Sequence, residues 1–234
     1  MPVIAMTQEM GSLAKDVSLQ LAQADQITIK RHEVLENVAG RMPVPGSLIS
    51  RLREGKAGLV ERLTTDKERV AVYTAQEVFA LADKGNIVLR GWGATCLLRP
   101  VRRVLRVRVT RPFRQRVAWL MDHLGTDDEA FAEAEVRRSD GAHASRMHDQ
   151  FGVTWGDPLL YDLVLNTDRV SVESCVEQIR HLASRPQAGP LCLRAPALAA
   201  GPRRPDAAAG RRRAGHWYRV HPTPQVPYRS SPRR

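Results

Sequence analysis

Three residues near the start of the chain have the types and spacing of a phosphate site. Gly11, Ser12 and Lys15 lie in the run PVIAMTQEMGSLAKDVSLQLAQA, residues 2–24. A glycine lets backbone N–H groups turn inward, a hydroxyl can meet phosphate or its metal, and a lysine reaches phosphoryl oxygens. A helix that begins directly afterwards adds its own N-terminal N–H groups. A full phosphate loop reads glycine, lysine and then a hydroxyl residue. Counted from Gly11 and Ser12, the second glycine falls at Leu13, the lysine at Ala14 and the hydroxyl at Lys15. Two readings of these residues stand side by side. One is a phosphate cradle with Lys15 as its displaced cation; the other is a plain strand-to-helix turn with Lys15 in solvent.

The elements that would position such a site alternate along the chain. Val3–Thr7 is an apolar run of strand length, and Ser12–Ala24 carries Leu13, Val17, Leu21 and Ala24 at helical spacing. Thr28–Val38 reads as a polar helix, broken by GRMPVPGS at residues 40–47; Leu48–Leu63 and Ala75–Asp83 read as further helices. Asn86–Gly91 is a second buried strand. Arg103–Thr110 alternates apolar residues with Arg at period two, a strand with one solvated face. Helices follow over Arg114–Leu124 and Asp127–Arg138, the second capped by Asp127 or Asp128. Tyr161–Thr167 is a last strand, and Val172–Leu182 a last helix begun at Ser171. Strands spaced among helices predict an α/β sandwich around a parallel sheet. Such sheets bind phosphate at the loop between the first strand and the next helix.

The chain has 234 residues and a formal net charge of +11, but the charge is not spread evenly. Residues 184–234 hold 11 Arg, no Lys or Glu and one Asp, a net +10; the remaining 25 basic and 24 acidic residues leave the body at +1. This segment also holds nine Pro and shows no sustained period, which predicts a disordered tail outside a folded body at residues 1–183. Three readings of the tail stand: a nucleic-acid arm using Arg on phosphates and Trp217, Tyr218 and Tyr228 for stacking, a passive extension, or the out-of-frame product of GC-rich DNA. Nucleic acid is expected as a partner only through it. Cys96, Cys175 and Cys192 have no partner spacing for zinc or a disulfide framework. No targeting segment or membrane-length apolar run is evident, so a cytoplasmic protein without membrane contact is expected.

Several segments together resemble the cytidylate-kinase-like family, a branch of the nucleoside monophosphate kinases. They are VIAMTQEMGSLAKDVSLQLA, GNIVLRGWGAT, RVRVTRPFRQRVAWLM and SDGAHASRMHDQFGVTWGDPLLYDLVLNTDRVSVESCVEQI, in family order over Pro2 to Ala183. The match is weakest from Gln26 to Thr74. The resemblance implies a P-loop kinase-type three-layer sandwich with a small helical nucleotide-accepting insert and a lid. It implies ATP as cofactor, Mg2+ delivered with it, and phosphoryl transfer to a (d)CMP-type small-molecule acceptor. The branch tends to carry arginine rather than lysine in its phosphate loop, which Lys15 replaces one position later; Leu13 and Ala14 stand where the branch has glycines. Arg116 matches the arginine that opens the helix after the VRVT strand, and Asp140 matches the lid aspartate. His143 stands where the next lid arginine is expected, with Arg137, Arg138 and Arg146 near it. The family's glycine-arginine at the second strand end is replaced by Gly91 and Trp92, with Arg90 one position earlier and directed to the opposite face. Trp92 has two readings, base stacking or packing. Asn166 and Thr167, at the carboxyl end of the last strand, face the nucleotide crevice. The expected catalytic set is therefore Lys15, Arg116 and Asp140, with Gly11 and Ser12 on phosphate, Arg90, Trp92, Asn166 and Thr167 on the nucleotide, and no protein-bound metal. The alternatives are a nucleotide-binding protein of the same fold that lacks turnover, and a scaffold for the basic tail.

Overall fold

A computed structural model describes residues 2–30, 34, 40, 67–91 and 93–184. Its centre is a five-stranded sheet in the order β2-β3-β1-β4-β5. The strands are β1 (Val3–Gln8), β2 (Thr28–Lys30), β3 (Ile87–Arg90), β4 (Val104–Thr110) and β5 (Leu163–Asn166), and every pairing is parallel. Parallel strands need crossovers, which here are helices. Among the described residues they are α1 (Ala14–Asp25), α2 (Lys67–Lys84), α3 (Ala94–Leu97), α4 (Phe113–Leu124) and α5 (Glu129–Phe151), and α6 (Val172–Ala183) follows the last strand.

The sheet is buried on both faces because strand side chains alternate between them. Val3, Ala5 and Leu89 join Val78, Leu81 and Ala82 of α2 in one core. Ile4, Met6 and Val107 join Val17 and Leu21 of α1 with Val176 and Ile179 of α6 in the other. The three-layer α/β sandwich expected from the alternating pattern is thus present. The small helical insert expected between Gln26 and Thr74 and the helix expected over Leu48–Leu63 fall mostly or wholly on residues 31–66, which apart from Val34 and Gly40 are outside the described residues, as is the tail beyond residue 184.

Three local expectations are corrected. Thr28–Lys30 is an edge strand, not the start of a polar helix: Thr28 and Ile29 align with Ile87 and Val88 of β3, and Ile29 packs on the α1 side. Three residues are too few to display a period, so β-branched pairing with a neighbour decides their conformation. The helix expected to stop at Arg138 continues to Phe151, capped by Asp128, whose carboxylate accepts from the Phe131 N–H. Gly141 lies within it, where an added Cβ would meet nothing within 4 Å, so the glycine interrupts the apolar pattern without breaking the helix. The arginine face of β4 is not solvated. Arg108 is 7% exposed, and Arg106 is held by Asp162 through two side-chain bonds of 3.0 and 2.5 Å. Burial favours the neutral Asp162 carboxyl, but the hydrogen bonds and charge of Arg106 outweigh it and hold that group below its ordinary range.

Candidate functional site

The loop from Glu9 to Leu13 leaves the carboxyl end of β1 and enters α1. Gly11 has φ +77°, and a Cβ built on it would lie 3.0 Å from both Cα and O of Arg116 in α4. Only a residue without a side chain accepts both that conformation and that approach. Leu13, the N-cap of α1, has φ 60° and ψ 12° and no side-chain cap bond. It therefore occupies the left-handed conformation proper to glycine, at a cost of about 1–2 kcal/mol. Ala14 is 1% exposed and lies in the core with Val17 and Leu21. Of the two side chains that stand for glycines, one is thus directed away from the loop's concave side, and the loop keeps the backbone of a cradle.

What the cradle presents is a set of donors. The Ser12 hydroxyl is buried without a hydrogen-bond partner among the described residues; Gln8 Oε1 at the end of β1, an acceptor, is in the same state. No side chain caps the first turn of α1, which leaves its N–H groups and the positive end of the helix dipole for an anion. Lys15 is exposed at the second position of that helix. The loop is braced from behind by Thr167, 5% exposed, whose hydroxyl donates to the Ser12 carbonyl at 2.9 Å. Replacing Leu13 with glycine relieves the left-handed strain but adds unfolded-state entropy, for a net gain of about 0.5–1 kcal/mol. The thermal midpoint is expected to rise by roughly 1–4 °C; a calorimetric scan showing a fall would mean that the leucine side chain holds the loop.

Beside the cradle lies a buried ion network. Glu9 accepts from Arg108 Nη2 at 2.6 Å, from the Thr110 hydroxyl and from the Arg111 N–H at 3.3 Å, with Arg116 Nε 3.6 Å away. Arg108 also donates to the Trp155 carbonyl at 2.8 Å and lies 4.4 Å over the Trp155 ring. Trp155 in turn donates from Nε1 to the Thr7 hydroxyl at 3.0 Å. Tyr161 donates to the Trp155 carbonyl at 2.7 Å, and its phenol is pushed up mainly by burial. Arg116 joins the loop to α5: Nε donates to the Arg111 carbonyl at 3.0 Å, Nη1 to the Met10 carbonyl at 3.4 Å, and both terminal nitrogens grip Asp140 at 3.0 and 2.8 Å. A planar fork on a carboxylate is a strong, oriented pair.

The expected site residues are thus partly brought together. Gly11, Ser12, Lys15, Arg116, Asp140 and Thr167 cluster around the loop. Arg90 runs from the end of β3 toward α1, where Nη1 donates to the Ser18 hydroxyl at 2.8 Å. That is the face opposite its neighbour Leu89, as strand alternation requires. Asn166 is exposed and accepts the Asp168 N–H at 3.0 Å. His143 stacks on Trp155 with centroids 5.1 Å apart; Trp92 lies outside the described residues. Sequence reasoning missed Glu9, Arg108 and Trp155. The available signal was an arginine in a strand otherwise made of valines, which marks a paired charge as readily as a solvated face.

The cytidylate kinase-like family model matches residues 3–169. The chain belongs to the cytidylate kinase-like family. That family's P-loop kinase fold accounts for the sheet and for the loop at its centre. None of the curated proteins is similar enough in sequence to match. Among solved structures, an uncharacterized protein from Eubacterium ventriosum ATCC 27560 is similar over 79% of this chain and 100% of its own, with a TM-score of 0.61 and 19% identity. A gluconokinase from Sinorhizobium meliloti 1021 aligns over 78% of this chain and 93% of its own at 13% identity and a TM-score of 0.48. For shikimate kinase from Bacteroides thetaiotaomicron the values are 77%, 97%, 16% and 0.44. Among the described residues no helix is long and apolar enough to cross a membrane, and no group of three or more His, Cys, Asp or Glu is placed to hold a metal ion.

Proposed function

We propose that this member of the cytidylate kinase-like family binds a nucleoside triphosphate on the Glu9–Leu13 loop and transfers its terminal phosphoryl group to a CMP-type monophosphate. The observation that carries the reading is the uncapped start of α1 beside a buried, unpartnered Ser12 hydroxyl. Donors left open in this way fit the phosphates of ATP. Magnesium fits as an ion carried by those phosphates, since the described residues offer it no carboxylate cage; it would neutralise charge on the β and γ oxygens.

The roles of the chain's own residues follow. The N–H groups of the loop and of the first turn of α1 hold the phosphates, and Lys15 reaches their oxygens from the exposed side. An oxygen of the acceptor monophosphate attacks the γ phosphorus as the bond to the β–γ bridging oxygen breaks, and ADP leaves. With a second phosphate pKa of about 6, the acceptor is already ionised near neutral pH and needs no general base. Catalysis then rests on alignment and charge neutralisation. Asp140 and Arg116 act as positioning residues that tie α5 to the loop at Met10. Thr167 supports the loop from behind, and Arg90 fixes the end of β3 on α1. Asn166 is assigned to the rim where the nucleotide base would lie, and base stacking is proposed for Trp92, which is outside the described residues.

A second reading, nucleotide binding without turnover, is favoured by one observation: Arg116 spends its donors on Asp140 and on carbonyls, so it is not open to a transferring phosphoryl group. A coupled ADP-release assay with CMP, dCMP and UMP separates the two. Turnover is expected with at least one acceptor, and Lys15→Ala is expected to weaken ATP binding by roughly tenfold, the value of one charge-assisted contact. ATP binding without ADP release from any acceptor would establish the second reading. Unchanged ATP affinity in the Lys15 variant would remove the loop from the site altogether.

A further inference from the structure

Among the described residues, two guanidinium nitrogens are buried without a hydrogen-bond partner, Arg90 Nε and Arg146 Nη2. Arg108 has Glu9, Arg116 has Asp140, and Arg90 has the Ser18 hydroxyl. Arg146, on α5, has no such partner among the described residues: its Nη2 is buried without any hydrogen bond. An arginine commonly buries its aliphatic stem and keeps its head in water; here one terminal nitrogen of the head, Nη2, is itself buried. Burial alone pushes this group down to about 10, so it remains cationic at neutral pH, with no hydrogen bond to Nη2 among the described residues.

The position of Arg146 in the fold says what could complete it. One turn earlier on the same helix, His143 stacks on Trp155, and Trp155 is bonded to Thr7 beside the end of β1. At the end of the helix, the Phe151 ring approaches Gly93, just past β3, so closely that an added Cβ there would lie 2.7 Å from it. Residues 143–151 therefore bridge the carboxyl ends of β1 and β3, the edge of a parallel sheet at which ligands bind. We propose that Arg146 is a phosphate-binding residue, its open guanidinium donors taking the oxygens of a phosphate group on a nucleotide bound in this crevice. The inference rests on the nucleotide-binding reading above and adds to it the residue that supplies the cation from α5, three positions beyond His143. A phosphate is the suitable anion because it accepts two parallel N–H bonds from one planar fork. Donor and acceptor nucleotides share this chemistry.

The test measures affinities of the full-length protein and its Arg146→Met and Arg146→Lys variants for ATP, CMP, inorganic tripolyphosphate and, as an uncharged control, cytidine. Isothermal titration is paired with thermal unfolding of each ligand-free protein. Arg146→Met is expected to weaken binding of ATP or of CMP by about tenfold or more, with cytidine unchanged and Arg146→Lys in between. The nucleotide that loses affinity identifies the phosphate held; a parallel loss for tripolyphosphate assigns it to the donor. The ligand-free Arg146→Met protein is expected to melt no lower than the parent, since an uncompensated charge has been removed. Should the Met variant fail to fold, the Lys variant carries the comparison, with a weaker affinity again expected. Phosphate affinities equal to the parent's in a folded variant, or an equal loss for cytidine, would overturn the proposal and leave Arg146 a structural residue. A loss for ATP in Lys15→Ala alongside no loss in Arg146→Met would overturn it while leaving the nucleotide reading intact. A parent protein that binds none of the phosphate compounds would overturn both.

Discussion

Replacing Arg116 with methionine is expected to lower the free energy of unfolding by about 3 kcal/mol, the low end of the range for removing one partner of a buried pair. The Arg116 side chain is 6% exposed and its partners Glu9 and Asp140 are 12% and 28% exposed, so water screens the stranded carboxylates only in part. The loss exceeds that of the pair alone, because the same guanidinium also serves the Arg111 and Met10 carbonyls. Urea unfolding of Arg116→Met, of Asp140→Asn and of the double variant gives the coupling directly. The double variant is expected to be less destabilised than the sum of the two single losses, since Asp140→Asn removes the charge that Arg116→Met strands. A loss below about 1 kcal/mol would place the pair in the class of exposed ion pairs that contribute little, and the tie between α5 and the Glu9–Leu13 loop would then be a weak one.

The second large effect is expected at Gly11. Gly11→Ala forces a side chain into a left-handed conformation, at about 1–2 kcal/mol, and places its Cβ against the backbone of α4 rather than against a side chain that could turn aside. Crowding of a packed contact adds about 1–3 kcal/mol, so a total of roughly 2–5 kcal/mol is expected in denaturant unfolding, together with loss of ATP affinity as the loop shifts off α4. Gly141→Ala is the control within the same protein. That glycine lies inside α5 with free space around it, and alanine there should stabilise by about 0.5–1 kcal/mol. If the two substitutions had the same sign, the close approach of loop and helix would not be the cause. Leu13→Gly makes the complementary point in the opposite direction: in a single five-residue loop, one left-handed position requires its glycine and the other carries strain for want of one.

Much of the architecture is legible along the chain. VIAMT and NIVLR are apolar runs of strand length, and Val17, Leu21, Val176 and Ile179 recur at helical intervals. Because that period is set by neighbours a few residues apart, the alternation of strands and helices and the place of the loop after the first strand could be read without a tertiary model. The caps at Asp128 and Ser171 belong to the same class: each satisfies an N–H three residues away. Thr28–Lys30 is the instructive failure, since its strand exists only through pairing with β3.

By itself, the amino-acid order determined the α/β class, the order of the layers' elements, the segregation of charge into the last 51 residues, and the position of Gly11, Ser12 and Lys15 at a strand end. Only the tertiary structure decided what the charged and small residues do there. Arg108 looked solvated because alternation records which side a residue is on, not what covers that side; Glu9, 99 residues earlier in the chain, and Trp155 cover it. Ala14 looked like an obstruction to the loop until the helix turned its methyl group into the core. Arg116 and Asp140, 24 residues apart, read separately as two lid residues and meet as one pair. Periodicity is a local property carried by the backbone's own geometry. The state of a buried charge depends on partners brought together only by the packing of the whole sheet.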